Sequence, residues 1–171
     1  MIQCHNSAES GLPQNWELLV QELASLLDEK EPFITLFSNA AAFVFEQFER
    51  LNWVGFYLLR DSRLHLGPFI GKPACTVIEV GKGVCGSAVS RRETIIVADV
   101  DSFPGHIACD AASRSEIVVP LILSDGRVIG VLDLDSPELG RFTEQDKLGL
   151  EMLRDVIVQK LSLRNSTEFF L

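Results

Sequence analysis

The chain has 171 residues, 47% of them hydrophobic, and a formal net charge of −9, which suits one folded globular domain and not a disordered chain. Phosphate binding needs concentrated positive charge, and the densest basic spot is Arg91-Arg92, so nucleic acid and anionic membrane surfaces are excluded as partners. No apolar run approaches the roughly 20 residues of a membrane span, and residues 1–11 have no apolar signal core, so the expected compartment is the cytoplasm.

Residues 1–12 read as a flexible segment at the start of a single domain covering 1–171. Asn15 can cap a first helix with Trp16, Leu19, Val20, Leu23 and Leu27 on one face. Pro32 can open a second, in which Phe33, Leu36, Phe37, Ala40, Val44 and Phe48 recur at helical spacing. The run LNWVGFYLLR at 51–60 is apolar on both faces, as in a buried strand. Asp61-Ser62-Arg63 is a turn, and alternating Leu64, Leu66, Pro68 and Ile70 complete a hairpin. GKGVCGSAVSRR, from Gly81, reads as a turn entering a short helix, and Thr94 to Val97 as a short strand. Residues 99–114 have turn chemistry and weak periodicity, as in a loop over a site. Ile117–Leu123 and Val128–Leu134 flank an Asp125-Gly126 turn. Thr143, with Asp146 three residues on, opens a last helix whose buried face is expected from Leu148, Met152, Leu153, Val156, Ile157 and Leu161. The order implies an α+β fold, with a mainly antiparallel sheet and the terminal helices packed on one face.

Three of the four cysteines, Cys75, Cys85 and Cys109, fall within residues 75–109, and none forms a CxxC pair. They admit three readings. They can be buried structural thiols, a zinc site completed by His106, or redox thiols in which one attacks and another resolves. The Gly-rich, turn-prone settings of Cys85 and Cys109, with His106 three residues before Cys109, favour the redox reading. Glu116 opens one strand of the late hairpin, while Asp133 and Asp135 share one face at the end of the other. Antiparallel pairing lets all three carboxylates meet. They can then hold an ammonium group, and crowding raises one pKa to give a proton donor. A solvated strand end is the plainer alternative.

The segments NWVGFY, GPFIGKPACTVIEVGKGVCG, DVDSFPGHIACDAASRSEIVVP and VIGVLDLDS closely resemble the free methionine-R-sulfoxide reductases, single GAF-type domains, over residues 13–160. The resemblance implies reduction of the R-sulfoxide of free methionine, without a metal or organic cofactor. It makes Cys109 the nucleophile, Cys75 the resolving cysteine and Cys85 a third redox-competent thiol. It places Trp53 against the substrate methyl group and Tyr57 among the substrate-binding residues. Glu116, Asp133 and Asp135 become the pocket for the sulfoxide oxygen and the ammonium group, with Glu116 or Asp135 as proton donor. It further implies thioredoxin or a similar dithiol as reductant, and a homodimer. Cys4 matches nothing in the pattern. A non-catalytic GAF module that binds a small ligand is the alternative; against it, no output domain is attached within these 171 residues.

Overall fold

Asn15 accepts a hydrogen bond from the Leu18 amide (3.1 Å) and so starts helix α1, Trp16–Leu26. Pro32 occupies the cap of α2, Phe33–Gln47, one position earlier than its sequence role implies. The computed structural model describes residues 15–105 and 111–162. The expected flexible segment 1–12, Cys4, His106 and Cys109 lie outside them.

The strands are β1 Trp53–Arg60, β2 Arg63–Ile70, β3 Val77–Glu79, β4 Ile95–Val97, β5 Ser115–Ile122 and β6 Val128–Ser136. They form one antiparallel sheet in the order β3-β2-β1-β6-β5-β4. The remaining helices are α3, Gly83–Arg91, and α4, Glu144–Ser162. Asp61 and Ser62 turn the first hairpin with positive φ (49° and 61°), the geometry a two-residue β-turn of this hand requires. Three-residue β3 is too short for alternation to show in the sequence.

Period-2 alternation divides the sheet into two chemically different faces. One carries Val54, Phe56, Ile117, Val119, Leu121, Leu132 and Leu134 against the apolar sides of α1, α2 and α4. Phe37 and Phe56 meet there with ring centroids 4.7 Å apart. The terminal helices therefore share one face, as the element order implies. The other face carries Trp53, Tyr57, Val118 and Val131 under α3, Ile78, Ile95 and Val97. The polar site lies on this second face.

The buried stripe of α4 keeps four of the six expected residues and departs at the other two. Leu148 and Met152 are 61% and 40% exposed, whereas Gly149, Leu150, Leu153, Val156, Ile157 and Leu161 are buried. Gly149 sets the rotation. A Cβ there would lie 2.0 Å from Trp16 Cε2, so the indole of α1 crosses α4 on this glycine and turns Leu148 outward.

The start of α4 also carries a buried ion pair. Thr143 Oγ1 accepts from the Asp146 amide (3.2 Å), and Asp146 Oδ2 accepts from the Thr143 amide (2.8 Å), a reciprocal capping box. The other carboxylate oxygen meets Arg141 Nη1 at 3.4 Å, with both side chains buried. Arg141 Nε donates to the Glu49 carbonyl (3.2 Å), tying α4 to the end of α2. Asp146→Ala removes the cap and the carboxylate that faces the buried Arg141 guanidinium. We expect a loss of about 3 kcal/mol or more in urea unfolding. A loss comparable to that from an exposed helix substitution refutes this account.

Candidate functional site

Trp53, Gly55 and Tyr57 point alternately from β1 onto the second face, and the indole of Trp53 lies flat across the glycine. A Cβ on Gly55 would sit 2.4 Å from Trp53 Cη2 and 2.4 Å from Phe69 Cβ. Gly71, with φ +137°, comes equally close to the other end of the indole: its Cβ would lie 2.4 Å from Trp53 Cδ1. Two glycines thus make the slot for Trp53, which stacks on Phe69 (5.4 Å, 15°) and Tyr57 (5.9 Å, 25°). A glycine inside an apolar strand signals such a close approach. NWVGFY carries that signal, whereas nothing local in the sequence marks Phe69 and Gly71 as parts of the slot.

Both aromatic donors of β1 hold the segment that carries Cys75. Trp53 Nε1 donates to the Lys72 carbonyl (3.1 Å) and Tyr57 Oη to the Cys75 carbonyl (3.0 Å). Tyr57 thereby contacts the Cys75 segment directly. Cys75 is half-buried.

Cys85 lies in the first turn of α3, the short helix expected after the glycine-rich turn. Gly86 lets that helix seat closely: a Cβ there would lie 2.3 Å from the Glu79 carbonyl oxygen. Cys85 is 3% exposed and its Sγ donates to Asp133 Oδ2 at 3.2 Å. A helix N-terminus ordinarily lowers a thiol pKa. Here burial, then the charges of Asp133 and Glu116, push it well above the ordinary value. Cys85 is a thiol at neutral pH.

The three carboxylates meet as the hairpin register requires. Asp135 pairs with Trp53 on one side and with Glu116 on the other, making one row across β1, β6 and β5. Asp133 lies between Gly55 and Val118 in the next row. This is no solvated strand end: Glu116 and Asp133 are 5% and 6% exposed. Burial pushes Glu116 well above the usual carboxylate range, reinforced by the charges of Asp133 and Asp135. Burial lifts Asp133 to about 7, opposed by hydrogen bonds from Cys85 and Glu116. Asp133 Oδ1 is buried and has no hydrogen-bond partner among the described residues. The site therefore keeps one protonated acid beside an acceptor that lacks a donor. It can receive a cationic donor and give up a proton. Among the described residues, Cys85, Glu116 and Asp133 are also the group whose ligand atoms, all within 4.8 Å of one another, can hold a metal ion.

The described ends of 99–114 are pinned beside these acids. The Val100 amide donates to the Arg114 carbonyl (3.0 Å) and the Arg114 amide to the Ser136 carbonyl (2.7 Å). Asn52 Nδ2 donates to Ser113 Oγ (3.0 Å).

Residues 37–157 match the GAF domain family model. The free methionine-R-sulfoxide reductase of Escherichia coli is 45% identical over 152 residues, 89% of this chain and 92% of that protein. That of Saccharomyces cerevisiae is 45% identical over 151 residues, 82% of this chain and 84% of that protein. The chain belongs to the GAF-type free methionine-R-sulfoxide reductases. The solved structure of the Neisseria meningitidis reductase in complex with its substrate is 41% identical, covers 94% of this chain and 95% of its own, and superposes with a TM-score of 0.81. The sheet with its flanking helices is accordingly the fold of this reductase family. No helix among the described residues is long and apolar enough to cross a membrane.

Proposed function

We propose that this reductase acts on the R-sulfoxide of free methionine through Cys109. The acid trio beside Trp53, with Glu116 and Asp133 buried and Asp133 Oδ1 lacking a donor among the described residues, carries the reading. A free amino acid brings an ammonium group that supplies both charge and donors to that trio. A peptide-linked methionine has an amide there and would leave the buried Asp133 carboxylate without that cationic donor. The Trp53 ring, held between Gly55 and Gly71, is the apolar wall for the methyl group.

The Cys109 thiolate attacks the sulfoxide sulfur. Glu116 or Asp135 protonates the oxygen, methionine leaves, and Cys109 becomes a sulfenic acid. The Cys75 thiol then condenses with it, forming a disulfide and releasing water. Thioredoxin or a similar dithiol reduces that disulfide and returns both thiols. Every step uses side-chain thiols and carboxyls, with no cofactor. Two features support Cys75 over Cys85 as the resolving thiol. Cys75 is half-buried on an irregular segment held by two side-chain hydrogen bonds, whereas Cys85 is sealed in a helix and paired with Asp133. We place the working enzyme in the cytoplasm as a homodimer.

The test is a stopped assay with racemic free methionine sulfoxide and dithiothreitol. Only the R isomer should disappear, and sulfoxide within a peptide should remain. Consumption of the S isomer, or equal rates on an N-acetylated substrate, would refute ammonium recognition.

A further inference from the structure

We propose that Cys85, Glu116 and Asp133 form a binding site for a thiophilic divalent cation, zinc or cadmium in class, which excludes substrate from the pocket. The three ligand atoms lie within 4.8 Å of one another, and the Cys85 Sγ to Asp133 Oδ2 separation is 3.2 Å. In tetrahedral zinc coordination, sulfur and oxygen ligands stand about 3.6 Å apart and two oxygens about 3.4 Å. Side-chain adjustment alone closes the group to that geometry. All three side chains are buried, so their surroundings hold them near it. Asp133 Oδ1, buried and without a partner among the described residues, marks an unmet demand for positive charge.

The donor set selects the class of ion. A single sulfur with two carboxylate oxygens suits a borderline or soft cation and disfavours magnesium and calcium, which take oxygen alone. Three protein ligands leave a fourth position for water. Binding displaces the Cys85 thiol proton and the proton held between the carboxyls, and those protons pass to solvent. The metal–sulfur bond formed is not a redox step. The ion is an inhibitor and takes no part in turnover. The predicted competition rests on the reductase reading, since ion and substrate ammonium would satisfy the same carboxylates. Binding of the ion does not rest on it.

The test uses the whole chain, kept reduced with a phosphine, and cadmium alone as the probe. One cadmium per chain should bind, with an ultraviolet sulfur-to-cadmium charge-transfer band. The band should persist in Cys4→Ser, Cys75→Ser and Cys109→Ser and vanish in Cys85→Ser. Asp133→Asn should weaken cadmium about tenfold or more while the band remains at saturation. Free methionine sulfoxide should raise the apparent cadmium Kd in proportion to its concentration. Circular dichroism of Cys85→Ser separates a lost ligand from a lost fold, and Asp133→Asn gives a second reading. A band that survives Cys85→Ser, or no band at all, overturns the proposal. Absent turnover with the Cys85-dependent band intact sinks the reductase reading and leaves the metal site. Normal turnover without that band sinks the metal site alone.

Discussion

Cys109→Ser should abolish even a single turnover of free methionine (R)-sulfoxide. A serine hydroxyl is not ionised at neutral pH and cannot accept oxygen from sulfur as a thiolate does. Cys75→Ser should behave differently. It should release one methionine per chain without added reductant, then stall with a sulfenic acid on Cys109 that dimedone traps. Turnover with thioredoxin should fall to background. Cys85→Ser should still recycle with thioredoxin, because Cys85 is a buried thiol whose hydrogen bond goes to Asp133. Its fault should appear in KM, through the loss of that bond. Rapid-quench methionine counts, with and without thioredoxin, separate the three variants. Unchanged recycling in Cys75→Ser would transfer the resolving role to Cys85, and one full turnover in Cys109→Ser would overturn the assignment of the nucleophile.

The four helices and every strand but β3 are legible in the sequence because their signals are local. Asn15, the Thr143–Asp146 capping box and the alternation in β1, β2, β5 and β6 each act within a few residues. Even the carboxylate row was legible, since hairpin pairing brings Glu116 opposite Asp135 whatever else the chain does. Long-range contacts were not. Nothing near residue 149 announces that Trp16 will cross there, so Leu148 and Met152 face outward although Leu153, Val156, Ile157 and Leu161 are buried as expected. Nor does GKGVCG show that Gly86 seats α3 on the Glu79 carbonyl and drives Cys85 into the acids. Composition shows only a Gly-rich, turn-prone segment entering a short helix. Only tertiary packing makes it a buried donor whose thiol titrates high. The same packing turns an acidic strand end, ordinarily solvated, into a pocket that repels its own charges.

That repulsion leads to a prediction in which activity and stability move in opposite directions. Asp133→Asn should lower kcat/KM on free methionine sulfoxide by about 10²–10³, the loss expected when one partner of a buried charge pair is neutralised. It should also stabilise the free protein at pH 8. Folding lifts the Asp133 pKa from an ordinary 3.8 to about 7, through burial. Between those values the folded state holds more protons than the unfolded chain, so stability falls as pH rises. The charged form therefore weakens the fold above pH 7, by on the order of 4 kcal/mol, and asparagine removes that penalty. The gain in melting temperature should be several degrees at pH 8 and should vanish near pH 4, where both chains are neutral at this position. A variant that melts lower at pH 8, or a gain equal at both pH values, would mean the Asp133 carboxylate is not the strained group. If both halves hold, the pocket's instability and its selectivity have one cause. The carboxylate that burdens the empty fold is the one a free ammonium group relieves, and substrate binding should itself raise the melting temperature most where Asp133 is ionised.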